Sequence, residues 1–150
     1  MFKISHRGNL LGPSISLENS PGQIDKAINE SYDCEVDIYV NKSKHIFLGH
    51  DSPNYAIDLD WLLDRKNYLW IHCKNLSALH YLTDFRSQLN FFFHDMDQYT
   101  LTSKGFIWAY PSQPFQTNTI VVLPEKFDEF WYLKIEPTIT GICSDFIGKI

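Results

Sequence analysis

Short apolar runs, mostly of four to seven residues, recur along the whole chain. They are rich in Ile, Val, Phe, Tyr and Trp, which favours β-strands over helices. Several are apolar at consecutive positions, which is typical of strands covered on both faces of a parallel sheet. The runs that we predict as strands are Phe2–Ser5, Cys34–Val40, His45–Leu48, Tyr68–Cys73, Leu89–Phe93, Gly105–Tyr110, Thr119–Leu123 and Thr140–Cys143.

A helical pattern, with apolar residues three or four positions apart, occurs only between the earlier strand candidates. The first predicted helix covers residues 21–30, with Ser20 as its N-cap and Pro21 as its first residue. Two further helices are predicted over residues 59–65 and 76–87. The first half of the chain therefore alternates strand and helix.

The second half of the chain has a different pattern. The gaps between its strand candidates are short, show no long helical pattern, and contain Pro111, Pro114, Pro124 and Pro137. We therefore expect one α/β domain over residues 1–150, built on a parallel sheet that curls toward a TIM-type barrel. This barrel is expected to be trimmed or incomplete, with reduced helices in the second half.

Composition narrows the class of protein. The chain has 150 residues, of which 44% are hydrophobic and 15% aromatic, so a disordered chain and a coiled coil are excluded. The formal charge of −5 is unlike that of a nucleic-acid-binding protein. No apolar run approaches the roughly 20 residues of a membrane span, and the N-terminus does not resemble a secretory signal.

The three cysteines, Cys34, Cys73 and Cys143, lie in apolar strand candidates, and their spacing fits no paired zinc motif. Buried, reduced thiols in a cytoplasmic protein are the simplest interpretation.

Ionisable residues stand at the end of almost every strand candidate. In parallel barrels the carboxyl ends of the strands form the active site. Residues two apart on a strand point to the same face, so each such pair can project into one cavity. We expect a catalytic or ligand-binding mouth formed by His6-Arg7, Glu35 with Asp37, His50-Asp51, His72 with Lys74, His94-Asp95 and Ser144-Asp145.

Four segments of the chain resemble, in the same order, the N-terminal signature of the glycerophosphodiester phosphodiesterases. They are His6–Gly8, Ser16–Ser20 with its Glu-Asn pair, Cys34–Asp37 with its Glu-x-Asp strand, and His50–Asp51. The segment Gly141–Asp145 also resembles the last strand of that family. The related phosphatidylinositol-specific phospholipases C share the barrel type and the use of two histidines. The resemblance implies a TIM-type barrel and a metal-dependent hydrolase of phosphodiesters.

By this resemblance, His6 and His50 form the acid/base pair. A phosphodiester needs one group to deprotonate the nucleophile and one to protonate the leaving alkoxide, and imidazole titrates near neutrality. Arg7 and Lys74 are expected to stabilise charge on the phosphoryl oxygens. The alternatives are two histidines in surface turns and, for Arg7, a structural ion pair with Glu18, which is compatible with phosphate binding.

The resemblance also implies one divalent cation, held by Glu35, Asp37 and His72. Where the family has a carboxylate in a Glu-x-Lys strand, this chain has His72-Cys73-Lys74. Mg²⁺, Ca²⁺, Mn²⁺ and Zn²⁺ remain candidates, although a neutral imidazole suits calcium and magnesium poorly. A solvated strand face and a hydrogen-bonded core histidine are the alternative interpretations.

Further candidate substrate contacts are Glu18, His94, Asp95, Glu125 and Asp145. Glu18 could instead hold the first loop.

The predicted function is metal-dependent cleavage of a glycerol-phosphodiester or a related phosphodiester. The alternatives are a phosphate-ester-binding module without hydrolysis and an enzyme acting on a nucleotide- or sugar-linked phosphodiester in surface polymer synthesis. The expected partner is a small phosphodiester, and a second subunit could complete an open pocket. The identity of the alcohol groups is left open by the sequence.

Overall fold

The computed structural model describes residues 1–150 and contains one ten-stranded mixed sheet with three α-helices. The strands are β1 (Phe2–His6), β2 (Asp33–Val40), β3 (Ile46–Leu48), β4 (Tyr55–Ile57), β5 (Leu69–Cys73), β6 (Asn90–Phe93), β7 (Tyr99–Leu101), β8 (Ile107–Ala109), β9 (Thr119–Val122) and β10 (Gly141–Ser144). The helices are α1 (Pro21–Asn29), α2 (Leu59–Asp64) and α3 (Leu76–Thr83). The prediction of an α/β fold is confirmed.

Parallel pairing dominates the sheet. The parallel strands follow the spatial order β6, β5, β2, β1, β10, β9, β8. The remaining strands pair antiparallel, with β3 and β4 extending the end of β2, and β7 pairing with β8. Strands β4 and β7 were absent from the sequence prediction, because each has only three residues and lacks a buried apolar run.

The sheet is strongly curved but is not a closed barrel, so the expected TIM-type barrel is not confirmed. Its two parallel ends, β6 and β8, share no ladder of backbone hydrogen bonds. Their inner side chains nevertheless meet, since the rings of Phe92 and Trp108 lie 4.5 Å apart. The β7–β8 hairpin joins the chain between these ends, and the Thr100 hydroxyl donates a hydrogen bond to the carbonyl oxygen of Phe93.

All three α-helices lie in the first part of the chain. The sequence signals for α1 are confirmed, because the Ser20 hydroxyl accepts a hydrogen bond from the Gln23 N–H and Pro21 is the first helical residue. Helix α3 ends at Thr83, four residues before the predicted end, and the following hydrogen-bonded turns bring Leu89 into the core. A cluster of 16 buried apolar residues fills the space between these helices and the outer face of β2, β5 and β6.

The second part of the chain contains no α-helix, as predicted. It has short 3-10 turns instead, over Pro124–Lys126, Trp131–Leu133 and Ile147–Lys149. Its outer face is covered by a small cluster around Trp131, Ile142 and Ile147.

Cys34, Cys73 and Cys143 are free, buried thiols, as predicted. Burial raises the pKa of Cys34 and of Cys73 to about 12, which keeps both protonated. None of the helices is both long and apolar enough to cross a bilayer.

Candidate active site

A cavity of about 320 Å³ opens at the carboxyl ends of the parallel strands. Eight of the residues predicted from the sequence line it, namely His6, Arg7, Glu35, His50, His72, Lys74, His94 and Asp95. The other predicted residues, Glu18, Asp37, Glu125 and Asp145, do not line the cavity but contact residues at or beside its floor. The expected convergence of distant segments is therefore present.

Strand register explains which side chains meet. His6 on β1 lies beside Glu35 on β2, and Asp37 lies beside His72 on β5. Because side chains alternate along a strand, Cys34, Val36 and Ile38 pack outward against the helices, whereas Glu35 and Asp37 point inward. The inner face thus carries these two acidic groups next to the inner apolar cluster that includes Ile4, Trp70 and Phe92.

Asp37 is fully buried and surrounded by compensating groups. Its Oδ2 accepts a hydrogen bond of 2.9 Å from the Asn19 amide and lies 3.2 Å from Arg7 Nε. Its Oδ1 lies 3.0 Å from His72 Nδ1 and 3.6 Å from Lys74 Nζ. Burial alone would raise the pKa of Asp37, but His72, Arg7 and Lys74 outweigh it and lower the pKa. Asp37 therefore stays ionised.

Glu35 is nearly as buried, with 3% exposure, but its negative charge has fewer close hydrogen-bond donors and cations than that of Asp37. Its Oε2 lies 3.9 Å from His6 Nε2 and accepts no hydrogen bond. Burial and the neighbouring Asp37 charge raise the pKa of Glu35. A buried carboxylate oxygen without a partner is energetically unfavourable, so this oxygen is able to accept a proton or a cation.

The ring of His72 is held from two sides. It stacks on Phe92 with ring centroids 5.2 Å apart, and its Nε2 lies 3.0 Å from the His94 carbonyl oxygen. A carbonyl oxygen only accepts hydrogen bonds, so Nε2 carries a hydrogen and donates it. The other nitrogen, Nδ1, faces Asp37 Oδ1 at 3.0 Å and Glu35 Oε1 at 3.7 Å. Glu35, Asp37 and His72 are the group of side chains that could hold a metal ion.

His6 is oriented by residues from the far end of the chain. Its Nδ1 donates a 2.8 Å hydrogen bond to Asp145 Oδ1, which also accepts one from the Asn9 amide. Glu125 fixes the same turn by accepting hydrogen bonds from the Asp145 backbone N–H and the Ser144 hydroxyl. These contacts make Asp145 and Glu125 positioning residues, not lining residues of the cavity.

Opposing influences act on the protonation of the His6–Asp145 pair. Burial lowers the pKa of His6, but the hydrogen bond to Asp145 and the charge of Glu35 outweigh it, so the pKa is raised. Burial raises the pKa of Asp145, but the hydrogen bond from His6 outweighs it and the pKa is lowered. The pair is therefore stabilised in its charged form.

Arg7 sits in a tight turn directly after β1, with a positive φ of 56°. Its guanidinium donates a 3.1 Å hydrogen bond to Glu18 Oε2, so the ion pair that was the alternative interpretation of Arg7 forms alongside the contact with Asp37. Gly8 follows with φ of 83°, and a Cβ there would lie 2.8 Å from Gln23 Cγ. Only glycine suits both this backbone conformation and this close approach.

His50 reaches the cavity from the loop after β3. Its Nδ1 donates a 2.6 Å hydrogen bond to Asp51, which leaves Nε2 available to a ligand. Burial lowers the pKa of His50, so its neutral form is favoured. His94 and Asp95, which follow β6, line the same cavity, and burial together with His72 lowers the pKa of His94.

The opposite wall of the cavity was mostly not predicted. It consists of Trp108, Tyr110, Pro111, Val122, Leu123 and Lys126. Leu123 adopts a left-handed conformation with φ of 46°, and the chain turns there into the segment that carries Lys126. The orienting role of Asn9 was also missed, because a single asparagine in a loop has no distinguishing sequence signal.

No model of a known protein family and no curated protein matches the chain. The cavity is lined by the buried Glu35 carboxylate, by four imidazoles and by the cations Arg7, Lys74 and Lys126. The buried Asp37 carboxylate lies behind this lining, in contact with Arg7, His72 and Lys74. Such a site can hold a divalent cation, grip an anionic oxygen and transfer protons near neutral pH.

Proposed function

We propose that the protein is a metal-dependent phosphodiesterase that resembles the glycerophosphodiester phosphodiesterases and cleaves a glycerol-phosphodiester or a related phosphodiester. The observation that carries this proposal is that His6, Glu35 and His72 line one cavity and that Asp37 lies 3.0 Å from His72 Nδ1 behind this lining. These four residues come from three different strands, and two carboxylate oxygens among them accept no hydrogen bond.

The strand order supports an incomplete TIM-type barrel as the underlying architecture. The parallel strands follow one another around the sheet in chain order, with the chain ends meeting where β1 pairs with β10. Inner side chains from β1, β5, β6, β8, β9 and β10 form one apolar cluster beneath the cavity. We infer a barrel that is open between β6 and β8.

In this proposal Glu35, Asp37 and His72 hold one divalent cation. The residues fit such an ion, because Glu35 Oε2 and Asp37 Oδ1 are buried without a hydrogen bond. When bound, the cation supplies Lewis-acid stabilisation of the phosphoryl oxygens. Arg7 and Lys74 add fixed positive charge beside the same oxygens, and Asn19 keeps Asp37 in place.

His6 and His50 divide the proton transfers. One imidazole accepts the proton of a neighbouring hydroxyl of the substrate as its oxygen attacks phosphorus. The other donates a proton to the departing alkoxide as the bond between phosphorus and that oxygen breaks. The products are a cyclic phosphate and the free alcohol. Hydrogen bonds to Asp145 and Asp51 hold the two rings, leaving each Nε2 without a hydrogen-bond partner.

The test is cleavage of glycerophosphocholine, which carries a hydroxyl next to its phosphodiester, by the purified chain, with Mg²⁺, Ca²⁺, Mn²⁺ and Zn²⁺ added in turn. His6→Ala and His50→Ala should each lower kcat/KM by about 10²–10⁴-fold, the usual contribution of an acid/base group. His80→Ala is the matched control, because His80 is an exposed histidine on α3 and should retain full activity.

Near-wild-type rates in both variants would refute the acid/base assignment. A wild-type protein that shows no hydrolysis with any metal, but is thermally stabilised by glycerol phosphate, would instead be a binding module.

A further inference from the structure

We infer that the cation at Glu35, Asp37 and His72 is a zinc-class metal ion and that His72 makes the site discriminate against Ca²⁺ and Mg²⁺. This inference rests on the proposed function for the presence of a cation there. It goes beyond that proposal by assigning the chemical class of the ion to one side chain.

Only one ring nitrogen of His72, Nδ1, is available to bind a metal ion. Its Nε2–H donates to the His94 carbonyl oxygen at 3.0 Å, and stacking on Phe92 at an angle of 7° fixes the ring plane. Nδ1 is therefore the nitrogen that faces the two carboxylates. Proteins commonly orient a metal-binding imidazole by such a hydrogen bond, from the ring nitrogen that does not bind the metal to a backbone carbonyl.

The distances between His72 Nδ1 and the two carboxylates suit a small ion. His72 Nδ1 lies 3.0 Å from Asp37 Oδ1 and 3.7 Å from Glu35 Oε1. Zinc binds imidazole nitrogen and carboxylate oxygen at about 2.0–2.2 Å, which puts two ligand atoms of a tetrahedral ion roughly 3.4 Å apart. Although Nδ1 and Oδ1 are close, Asp37 Oδ1 accepts no hydrogen bond. Ligand atoms of all three residues lie within 4.8 Å of one another, so one small ion could be shared among them.

The site offers few oxygen ligands to a metal ion. Ca²⁺ and Mg²⁺ take six or more ligands that are all oxygens, from carboxylates, carbonyl groups and retained waters. Here the buried acidic ligands are Glu35 and Asp37, and Asp37 Oδ2 is already bonded to Asn19 and beside Arg7. An imidazole takes the place of a third carboxylate, and imidazole suits zinc, iron and copper better than the hard cations.

The experiment is calorimetric binding of Zn²⁺, Mg²⁺ and Ca²⁺ to the metal-free chain, without substrate. Wild-type protein should bind one Zn²⁺ at least about 100-fold more tightly than either hard cation. His72→Glu restores an all-oxygen site, so the ratio of zinc to calcium affinity should fall by about 10–100-fold. His72→Gln removes the nitrogen donor without adding a carboxylate, so it should lose zinc affinity and gain no calcium affinity.

His80→Glu is the matched control for zinc bound by surface histidines and should leave all affinities unchanged. Circular dichroism checks that each variant is folded. Equal affinity of the wild type for zinc and magnesium, binding of no divalent ion, or an unchanged ratio in a folded His72→Glu variant would each overturn the inference.

These outcomes separate the inference from the proposed function. Hydrolysis supported equally by magnesium and zinc, without selective binding, would leave the phosphodiesterase standing and refute the role of His72. Selective zinc binding without any hydrolysis would support the role of His72 and refute the phosphodiesterase.

Discussion

Two regions of the molecule cover the same curved sheet in different ways. In the helix-covered region, residues 2–93, α1 to α3 pack on the outer face and 16 buried apolar residues form a continuous core. In the loop-covered region, residues 94–150, the outer face carries irregular segments and a cluster of only three buried residues. The candidate metal ligands are divided in the same way, because Glu35, Asp37 and His72 all belong to the helix-covered region.

The comparison shows how the two regions share the site. Strands buried on both faces are rigid supports for charged side chains, so the candidate ligands lie on β2 and β5. The loop-covered region contributes the opposite wall and the hydrogen bond from His6 to Asp145. The helix-covered region therefore holds most of the candidate catalytic and metal-binding groups. The loop-covered region orients one of them and forms the opposite wall of the cavity.

The largest expected effect tests the difference in packing. Leu82 on α3 is fully buried, so Leu82→Ala should lower the free energy of unfolding by about 2–5 kcal/mol. Leu133 in the loop-covered region is 72% exposed. Leu133→Ala should therefore change the free energy of unfolding by less than about 0.5 kcal/mol. Urea unfolding of both variants measures the difference. A loss of similar size in Leu133→Ala would contradict the exposure of this side chain.

A second prediction tests the link between the regions. The lowered pKa of Asp145 gives stability that is present above its unfolded pKa of about 4 and lost as pH falls through the folded value. The raised pKa of His6 gives stability that is present below about 6.5 and lost as pH rises through the folded value. In metal-free protein, Asp145→Asn should therefore destabilise most between about pH 4 and pH 6.5, by roughly 1.5–3 kcal/mol.

Unfolding free energies measured across pH 3–9 provide this test. Asp60→Asn removes one exposed acidic group from α2 and controls for the change in net charge. A destabilisation by Asp145→Asn that does not vary with pH would contradict the charged pair.

The smallest expected effect concerns Glu125, which contacts the turn at Asp145 and not the cavity. Glu125→Gln loses one of two hydrogen-bond acceptors, so Asp145 and His6 should be less well oriented. We expect kcat for glycerophosphocholine to fall by about tenfold with KM unchanged, as for loss of an outer partner. Glu129→Gln, at an exposed position nearby, should leave both constants unchanged. An increase in KM with kcat retained would instead indicate contact with substrate.

Much of the helix-covered region could be predicted because its signals are local. Ser20 and Pro21 mark the start of α1, and the alternation along β2 places Glu35 and Asp37 on one face. In the loop-covered region, short strands and turns have weak signals, so β7 was missed.

The amino-acid sequence by itself determined the chain order of the parallel strands and the helices, the loss of helices after β6, and which ionisable residues stand at strand ends. These follow from periodicity and capping, which act over a few residues. Only the tertiary structure decided that β6 and β8 do not pair, that His6 is oriented by Asp145, and that the His94 carbonyl turns Nδ1 of His72 toward the carboxylates. Those contacts join residues far apart in the chain, and register and packing bring them together.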